Sequence, residues 1–121
     1  MRVLVCGGRD FDDYGLLDKT LHSLVYDRDH TDYSKVVIIS GMAKGADSLA
    51  VDWSRWNNTH LLKFPADWGK YKKAAGPIRN QQMIDEGKPD LVAAFKGGTG
   101  TVDMVRRAKK HNIKVIEVKD G

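Results

Sequence analysis

Leu91-Val-Ala-Ala-Phe95 runs directly into Lys96-Gly-Gly-Thr-Gly-Thr101, and this junction decides the fold. An apolar run, a glycine-rich turn and a helical pattern over residues 102–111 are typical of a buried strand, a tight turn and a helix. Such a turn leaves unpaired N–H groups at the helix N-terminus, where a phosphate can bind. The glycines permit close approach to the backbone, and Thr99 or Thr101 can cap the helix. A turn without a ligand is the simpler interpretation when this stretch is considered alone.

The same alternation extends along the whole chain. Short apolar runs predict five strands, and helical spacing of apolar residues predicts four helices between them. The predicted strands are residues 2–6, 36–40, 60–64, 91–95 and 114–118, and the predicted helices are residues 13–28, 46–57, 76–86 and 102–111. Strands that are apolar on both faces and joined by helices form a parallel, doubly wound sheet. We therefore predict a single Rossmann-like α/β domain over residues 1–121, with a five-stranded sheet in the order 3-2-1-4-5.

This strand order places the ligand crevice between strands one and four, because the order of the strands reverses there. Three glycine-rich loops follow the strands at or next to that point. They are Gly7-Gly-Arg-Asp10 after strand one, Gly41-Met-Ala-Lys-Gly45 after strand two and Gly97-Gly-Thr-Gly-Thr101 after strand four. The carboxyl ends of parallel strands meet at one edge of the sheet, so the three loops are expected to converge there. That convergence favours a phosphate-binding site.

Two charged residues of these loops are candidates for ligand binding. Arg9 can hold a phosphate through two parallel hydrogen bonds, and an ion pair with Asp10 or Asp12 is the alternative. Asp47 opens the second predicted helix and can accept hydrogen bonds from ribose hydroxyls. A favourable interaction with the helix dipole explains Asp47 equally well.

The region after strand three contributes Trp68, Arg79 and Asn80 as candidates. We expect Arg79 and Asn80 in the first turn of the third predicted helix, where an arginine opposes the helix dipole and an anion would compensate it. A salt bridge to Asp67 or Asp85 is the alternative for Arg79. Asn80 can bond either a ligand or loop backbone, and Trp68 can either stack on a base or pack over the core.

The composition is that of a globular protein suited to an anionic ligand. Of the 121 residues, 41% are hydrophobic and 30% are charged, the net charge is +4, and no apolar run approaches the length of a membrane span. The charge lacks the concentrated basic stripe of a duplex-binding protein. One cysteine, Cys6, and four scattered histidines give no metal-ligand spacing. A single cysteine and no room for a signal peptide indicate the cytoplasm.

Five segments together resemble the YspA-like, cpYpsA-related branch of the SLOG superfamily. The resemblance extends over nearly the whole chain. The segments are Gly7-Gly-Arg-Asp-Phe11, Ser40-Gly-Met-Ala-Lys-Gly-Ala-Asp47, Pro65-Ala-Asp-Trp68, Ala75-Gly-Pro-Ile-Arg-Asn80 and Ala94-Phe-Lys-Gly-Gly-Thr-Gly-Thr101. SLOG relatives are Rossmann-like proteins that bind nucleotides or nucleotide-derived ligands, and the YspA-like branch occurs in bacteria and phages. The relatives include LOG phosphoribohydrolases, which cleave the base from a nucleoside monophosphate, and DprA, which binds single-stranded DNA.

The resemblance to LOG enzymes implies a phosphate loop and an upstream arginine, at Gly97, Gly98, Gly100, Thr101 and Arg79. The position of the LOG catalytic glutamate is Met104, and Asp103 is the adjacent candidate carboxylate. One residue along a helix turns a side chain by about 100°. The resemblance therefore implies nucleotide binding and leaves open whether Asp103 serves a hydrolytic step.

We expect the chain to bind a phosphate-bearing nucleotide or nucleotide-derived ligand at the C-terminal edge of the sheet, as a sensor or sequestering protein. N-glycosidic hydrolysis and single-stranded DNA binding are the alternatives. No further cofactor is implied, and the resemblance is compatible with a homo-oligomer. The expected ligand-binding residues are Gly7, Gly8, Arg9, Gly41, Lys44, Gly45, Asp47, Trp68, Arg79, Asn80, Gly97, Gly98, Thr99, Gly100 and Thr101.

Overall fold

Five parallel strands form one sheet in the order β3-β2-β1-β4-β5, which confirms the predicted fold. The computed structural model describes residues 1–26 and 32–119. The strands are β1 (Arg2–Cys6), β2 (Val37–Ser40), β3 (His60–Lys63), β4 (Leu91–Ala94) and β5 (Lys114–Glu117). The helices are α1 (Tyr14–Val25), α2 (Ala46–Asn57), α3 (Trp68–Tyr71), α4 (Ala75–Asp85) and α5 (Thr99–Lys110), with turns of 3-10 helix at Tyr33–Lys35 and Lys72–Ala74. None of the helices in the described ranges combines the length and apolarity that a membrane span needs.

Alternate residues of each strand face opposite layers of helices. Val3 and Val5 of β1 pack in a cluster with α1 and α2, whereas Leu4 packs in a second cluster with α4 and α5. All three are buried, which explains why the strand sequence is apolar throughout. Trp53 of α2 is also buried in the first cluster, and its indole Nε1 donates a hydrogen bond to Asp18 Oδ1 at 2.9 Å. The core therefore contains this indole with its polar atom paired.

The first helix is capped by Asp13 and is shorter than predicted. The Asp13 carboxylate accepts a hydrogen bond from the Leu16 N–H at 3.0 Å, which satisfies one donor of the helix N-terminus. The helix ends at Val25 because Tyr26 is extended, with φ −63° and ψ 129°. The prediction that this helix continues to residue 28 is wrong at Tyr26, and residues 27 and 28 lie outside the described part of the chain.

Two helices near the crevice begin earlier than the sequence predicts. α5 begins at Thr99 rather than at residue 102, with Gly98 as its N-cap and no side-chain cap from either threonine. α4 begins at Ala75, which places Arg79 and Asn80 in its second turn rather than its first. The proline of α4 is tolerated there because the first N–H groups of a helix have no intrahelical acceptor. The predicted conflict between Arg79 and the helix dipole is therefore weaker, since the dipole acts mainly within the first turn.

Backbone hydrogen bonds through Gly8 join the loops that follow β1, β2 and β4. The Gly8 N–H donates to the Lys96 carbonyl oxygen at 2.8 Å, and the Gly8 carbonyl oxygen accepts from the Ala46 N–H at 3.3 Å. These contacts need backbones without intervening Cβ atoms. A Cβ on Gly45, where φ is +82°, would lie 2.0 Å from the Gly8 oxygen, and a Cβ on Gly97 would lie 2.6 Å from the Gly8 nitrogen.

Gly45→Ala should lower the free energy of unfolding by about 3 kcal/mol or more, because it adds backbone strain to the clash with Gly8. Gly15→Ala is the matched control: it lies on α1, and its Cβ would meet only Asp13 Oδ1 at 3.6 Å. The control should be neutral or should stabilise the protein by up to about 1 kcal/mol. Urea denaturation measures both changes. Equal stability of the two variants would show that the contact between the loops does not need a glycine at position 45.

Candidate functional site

A cleft of about 980 Å³ opens at the C-terminal edge of the sheet, between the ends of β1 and β4. It is enclosed by the glycine loops and by the N-terminal parts of α4 and α5. All the predicted ligand-binding residues line this cleft except Gly41, Lys44 and Gly45, and Asp103 lines it as well. The cleft volume is at the upper end of the range typical of small-molecule sites.

The N-terminus of α5 forms one wall of the cleft. The first hydrogen bond of this helix runs from the Val102 N–H to the Gly98 carbonyl oxygen at 3.1 Å. Within the described residues, the N–H groups of Thr99, Gly100 and Thr101 therefore have no acceptor in the protein. A Cβ on Gly98 or on Gly100 would meet no atom within 4 Å. This wall thus combines available amide donors with open space, which is an arrangement that suits a phosphate.

Two guanidinium groups lie in the same cleft. Arg9 is exposed, whereas Arg79 is half-buried, with its Nη1 donating to the Gly41 carbonyl oxygen and its Nε donating to Asn80 Oδ1 at 3.1 Å. Burial lowers the pKa of Arg79, Asp47 raises it, and the positive charge of Arg9 lowers it. The two cations therefore repel each other, and a bound anion would be attracted to both.

Neither arginine forms the ion pairs that the sequence offers as alternatives. Within residues 1–26 and 32–119, no salt bridge joins Arg9 or Arg79 to any carboxylate, including the four candidates Asp10, Asp12, Asp67 and Asp85. Asp67 instead caps α3, where its Oδ1 accepts a hydrogen bond from the Lys70 N–H at 3.0 Å. The charges of both arginines thus remain available to a ligand.

Asp47 lies at the base of the cleft and is only 7% exposed. Its Oδ2 accepts a hydrogen bond from the Ala43 N–H at 3.2 Å. Burial raises the pKa of Asp47 to about 6, although the Ala43 hydrogen bond and the charge of Arg79 lower it. Gly41 does not line the cleft; a Cβ there would lie 2.6 Å from Arg79 Nη1 and 3.0 Å from Asp47 Oδ2. Gly41 therefore makes room for these two side chains.

Asn80 bonds the backbone and a side chain of α5, whereas the sequence predicts a bond to either a ligand or loop backbone. Its Nδ2 donates to the Gly100 carbonyl oxygen at 3.2 Å and to Asp103 Oδ2 at 3.0 Å. Its Oδ1 accepts the hydrogen bond from Arg79. Asn80 thus links α4 to the first turns of α5 and fixes the distance across this end of the cleft.

Asp103 is held by several donors. Arg106 Nη2 and Arg107 Nε each donate to it at 2.8 Å, in addition to Asn80. Burial alone would raise the pKa of Asp103, but the hydrogen bonds from Arg107, Asn80 and Arg106 lower it overall. A carboxylate held in this way is a poor proton acceptor. Met104, at the position of the LOG glutamate, is 1% exposed and packs in the core.

Trp68 lies at the mouth of the cleft and is 49% exposed, so it does not pack over the core. Sequence reasoning missed two exposed lysines of the lining, Lys73 and Lys96. Lys96 precedes the Gly97 loop directly and could have been found by its position. Lys73 lies in the 3-10 turn after α3, and neither of these two elements is among the four helices predicted from the sequence. Lys44 is exposed and lies outside the lining.

No cluster of three or more His, Cys, Asp or Glu side chains within the described ranges is arranged to hold a metal ion. The thiol of Cys6 borders the cleft and is buried. Burial, and secondarily the charge of Asp47, raise the pKa of Cys6 to about 12. The chemical character of the cleft thus comes from amide donors, guanidinium groups and carboxylates.

A comparison with protein families identifies the family of the chain. The model of the YAcAr family, described as the YspA, cpYpsA-related SLOG family, matches residues 1–71. The chain belongs to this family. The matched part of the YAcAr chain contains the loops after β1 and β2, together with Arg9, Asp47 and Trp68.

Individual relatives extend the comparison over the whole YAcAr chain. The Gene 61 protein of Mycobacterium phage D29 is 33% identical over 127 residues, which cover 98% of this chain and 97% of the phage protein. The X-ray structure of DNA processing protein A (DprA) from Streptococcus pneumoniae aligns with a TM-score of 0.73 at 20% identity. That alignment covers 99% of this chain and 50% of the DprA chain, so the YAcAr chain spans about half of DprA and shares its fold.

Asp47→Asn should change how stability depends on pH. Burial raises the pKa of Asp47 to about 6 in the folded protein, from an ordinary value of 3.8. The stabilising contribution of the protonated carboxyl is therefore complete below the lower value and is lost as the pH rises through the higher one. Relative to the asparagine variant, the wild type should lose roughly 2–3 kcal/mol between pH of about 4 and about 7.

Urea denaturation across this pH range measures the difference. Asp52→Asn is the matched control, because Asp52 is exposed on the same helix, and this variant should follow the wild-type profile. Parallel pH profiles for the wild type and Asp47→Asn would contradict the prediction.

Proposed function

We propose that this YAcAr protein binds a phosphate-bearing nucleotide or nucleotide-derived ligand in the cleft, as a sensor or sequestering protein. One observation carries the proposal. Two mutually repelling guanidinium groups, Arg9 and Arg79, face the same cleft as the uncapped N-terminus of α5. An anion is the ligand that interacts favourably with all three features at once.

The arrangement of charges predicts how the ligand is oriented in the cleft. The phosphate would bind the amides of residues 99–101 and the two arginines. Asp47 would repel a phosphate, so it suits ribose hydroxyls or an amino group of a base. Trp68, half-exposed at the mouth of the cleft, offers a ring on which a base can stack. Phosphate, sugar and base would then extend from α5 across the cleft toward α3.

A binding role is favoured over hydrolysis by the surroundings of Asp103. Both oxygens of this carboxylate accept hydrogen bonds, from Asn80 of α4 and from Arg106 and Arg107 of α5. Met104, which occupies the LOG glutamate position, is in the core. Asp47 therefore accepts fewer side-chain hydrogen bonds than Asp103 and is the carboxylate more available to a ligand in the cleft. No carboxylate of α5 occupies the position of the LOG glutamate.

Gly98→Val should weaken the binding of 5′-AMP, GMP, CMP or UMP by at least about 30-fold, because the new side chain would occupy the space beside the α5 amides. The fold should persist, since a Cβ at this position meets no atom within 4 Å. Isothermal titration calorimetry measures the affinity, and circular dichroism checks the fold. Gly15→Ala is the control and should bind as the wild type does. Unchanged affinity in a folded Gly98→Val protein would remove this loop from the site.

The affinity for a nucleotide should also depend less steeply on salt concentration than the affinity for single-stranded DNA. Each phosphate of a single strand that a protein neutralises contributes a slope of about −0.7 to the dependence of log K on log salt. A mononucleotide in a cleft should lose affinity only gently, because shielded charges are screened less. Arg106 and Arg107 lie outside the cleft lining, and both form ion pairs with Asp103. Their charges are therefore partly neutralised before any DNA phosphate could bind.

We therefore expect weak, salt-labile binding of single-stranded DNA, measured by fluorescence anisotropy on a labelled oligothymidylate. Sub-micromolar DNA binding at physiological salt that free nucleotides do not displace would favour the single-stranded DNA function instead.

A further inference from the structure

A second pocket, of about 450 Å³, lies beside the α5 N-terminus. It is lined by the residues at the ends of β4 and β5 and by the first two turns of α5. Lys96, Gly97 and Thr101 line this pocket and also line the cleft. The loop that carries the proposed phosphate site is therefore the shared wall of two pockets.

The second pocket is mostly apolar. Its walls include Val102, Val105 and Val118, and we call it the valine pocket. Val102 is 65% exposed, so its methyl groups contribute little to the core. The Val118 N–H donates to the Ala94 carbonyl oxygen at 2.8 Å, which fixes the chain after β5 against the end of β4. Val105 and Val118 pack against the core, so Val102 is the one valine of this wall that is largely exposed.

We propose that the valine pocket binds a second group of the same ligand, on the far side of the phosphate from the nucleoside. The inference rests on the proposed function and makes it more specific. A phosphate monoester has one substituent and can fill only one of the two pockets. A phosphodiester or a pyrophosphate-linked derivative has a substituent on each side and can fill both. The natural ligand is therefore a nucleotide derivative with an apolar or planar group attached through phosphate.

The position of the valine pocket next to the cleft favours a ligand group over a protein partner as the occupant. Thr101 lines both pockets, so a phosphate bound to the Thr101 N–H at the tip of α5 would lie beside the valine pocket as well as in the cleft. A stable protein interface buries about 800 Å² on each side. The three valines form only a small apolar surface, which fits one ring or a short alkyl chain.

The test compares three probes by calorimetry: 5′-AMP, its methyl phosphoester and its phenyl phosphoester. The two esters carry the same charge and differ only in the group beyond the phosphate. In the wild type, the phenyl ester should bind about tenfold more tightly than the methyl ester, because its ring buries apolar surface. In Val102→Gln, which adds polarity without charge, the two esters should bind within about twofold of each other, because the ring no longer buries apolar surface there.

Ile78→Gln is the matched control, since Ile78 is exposed on α4 and lines neither pocket. It should keep the tenfold preference for the phenyl ester. Equal binding of the two esters by the wild type overturns this inference and leaves the nucleotide site in place. Failure of all three probes to bind overturns both proposals. A dimer seen by sedimentation that Val102→Gln dissociates would assign the valine pocket to a second copy of the chain and overturn the inference.

Discussion

The backbone of Gly8 is the point on which the geometry of the crevice depends. Its N–H group bonds the loop after β4 and its carbonyl oxygen bonds the first residue of α2, so two peptide groups hold three chain segments at hydrogen-bonding distance. The absence of Cβ atoms at Gly45 and Gly97 is what permits these distances. Because α2 and α5 both start near this junction, their N-termini are positioned relative to each other by backbone contacts that use no side chain of the cleft.

The opposite side of the cleft is held by polar side chains. Arg79, Asn80 and Asp103 form a continuous set of hydrogen bonds between α4 and α5, which Arg107 extends back to Gln81 of α4. Each residue of this network forms a hydrogen bond with a charged or polar neighbour. The complete network is therefore rigid, and loss of one residue leaves a partner without its hydrogen bond and lowers the stability of the protein. One side of the cleft is therefore positioned by close packing of glycine backbones and the other by a network of charged and polar side chains. A ligand would bind a largely preformed site, so the entropic cost of ordering loops and side chains on binding would be smaller than at a flexible site.

The fold and the location of the crevice follow from local patterns, whereas the roles of individual residues depend on tertiary contacts. Apolar runs that end at glycines predict strands and their order, because strands buried on both faces leave few alternatives. The sequence does not predict the start of α5 at Thr99, because a glycine and two threonines give weak helix propensity. Gly41 was predicted to contact a ligand, yet its small size serves the Arg79 and Asp47 side chains. The burial that raises the pKa of Asp47 likewise depends on α4, which is distant in sequence.

The buried thiol of Cys6 makes the protein convenient for site-specific labelling. Only a thiolate reacts quickly with maleimides and similar reagents, and the only cysteine of the chain has a pKa of about 12. A cysteine introduced at an exposed position, such as Trp56 at the end of α2, would therefore react selectively without removal of the native one. A fluorophore or spin label placed there would report on the protein while the crevice, at the other end of the same helix, stays chemically unmodified.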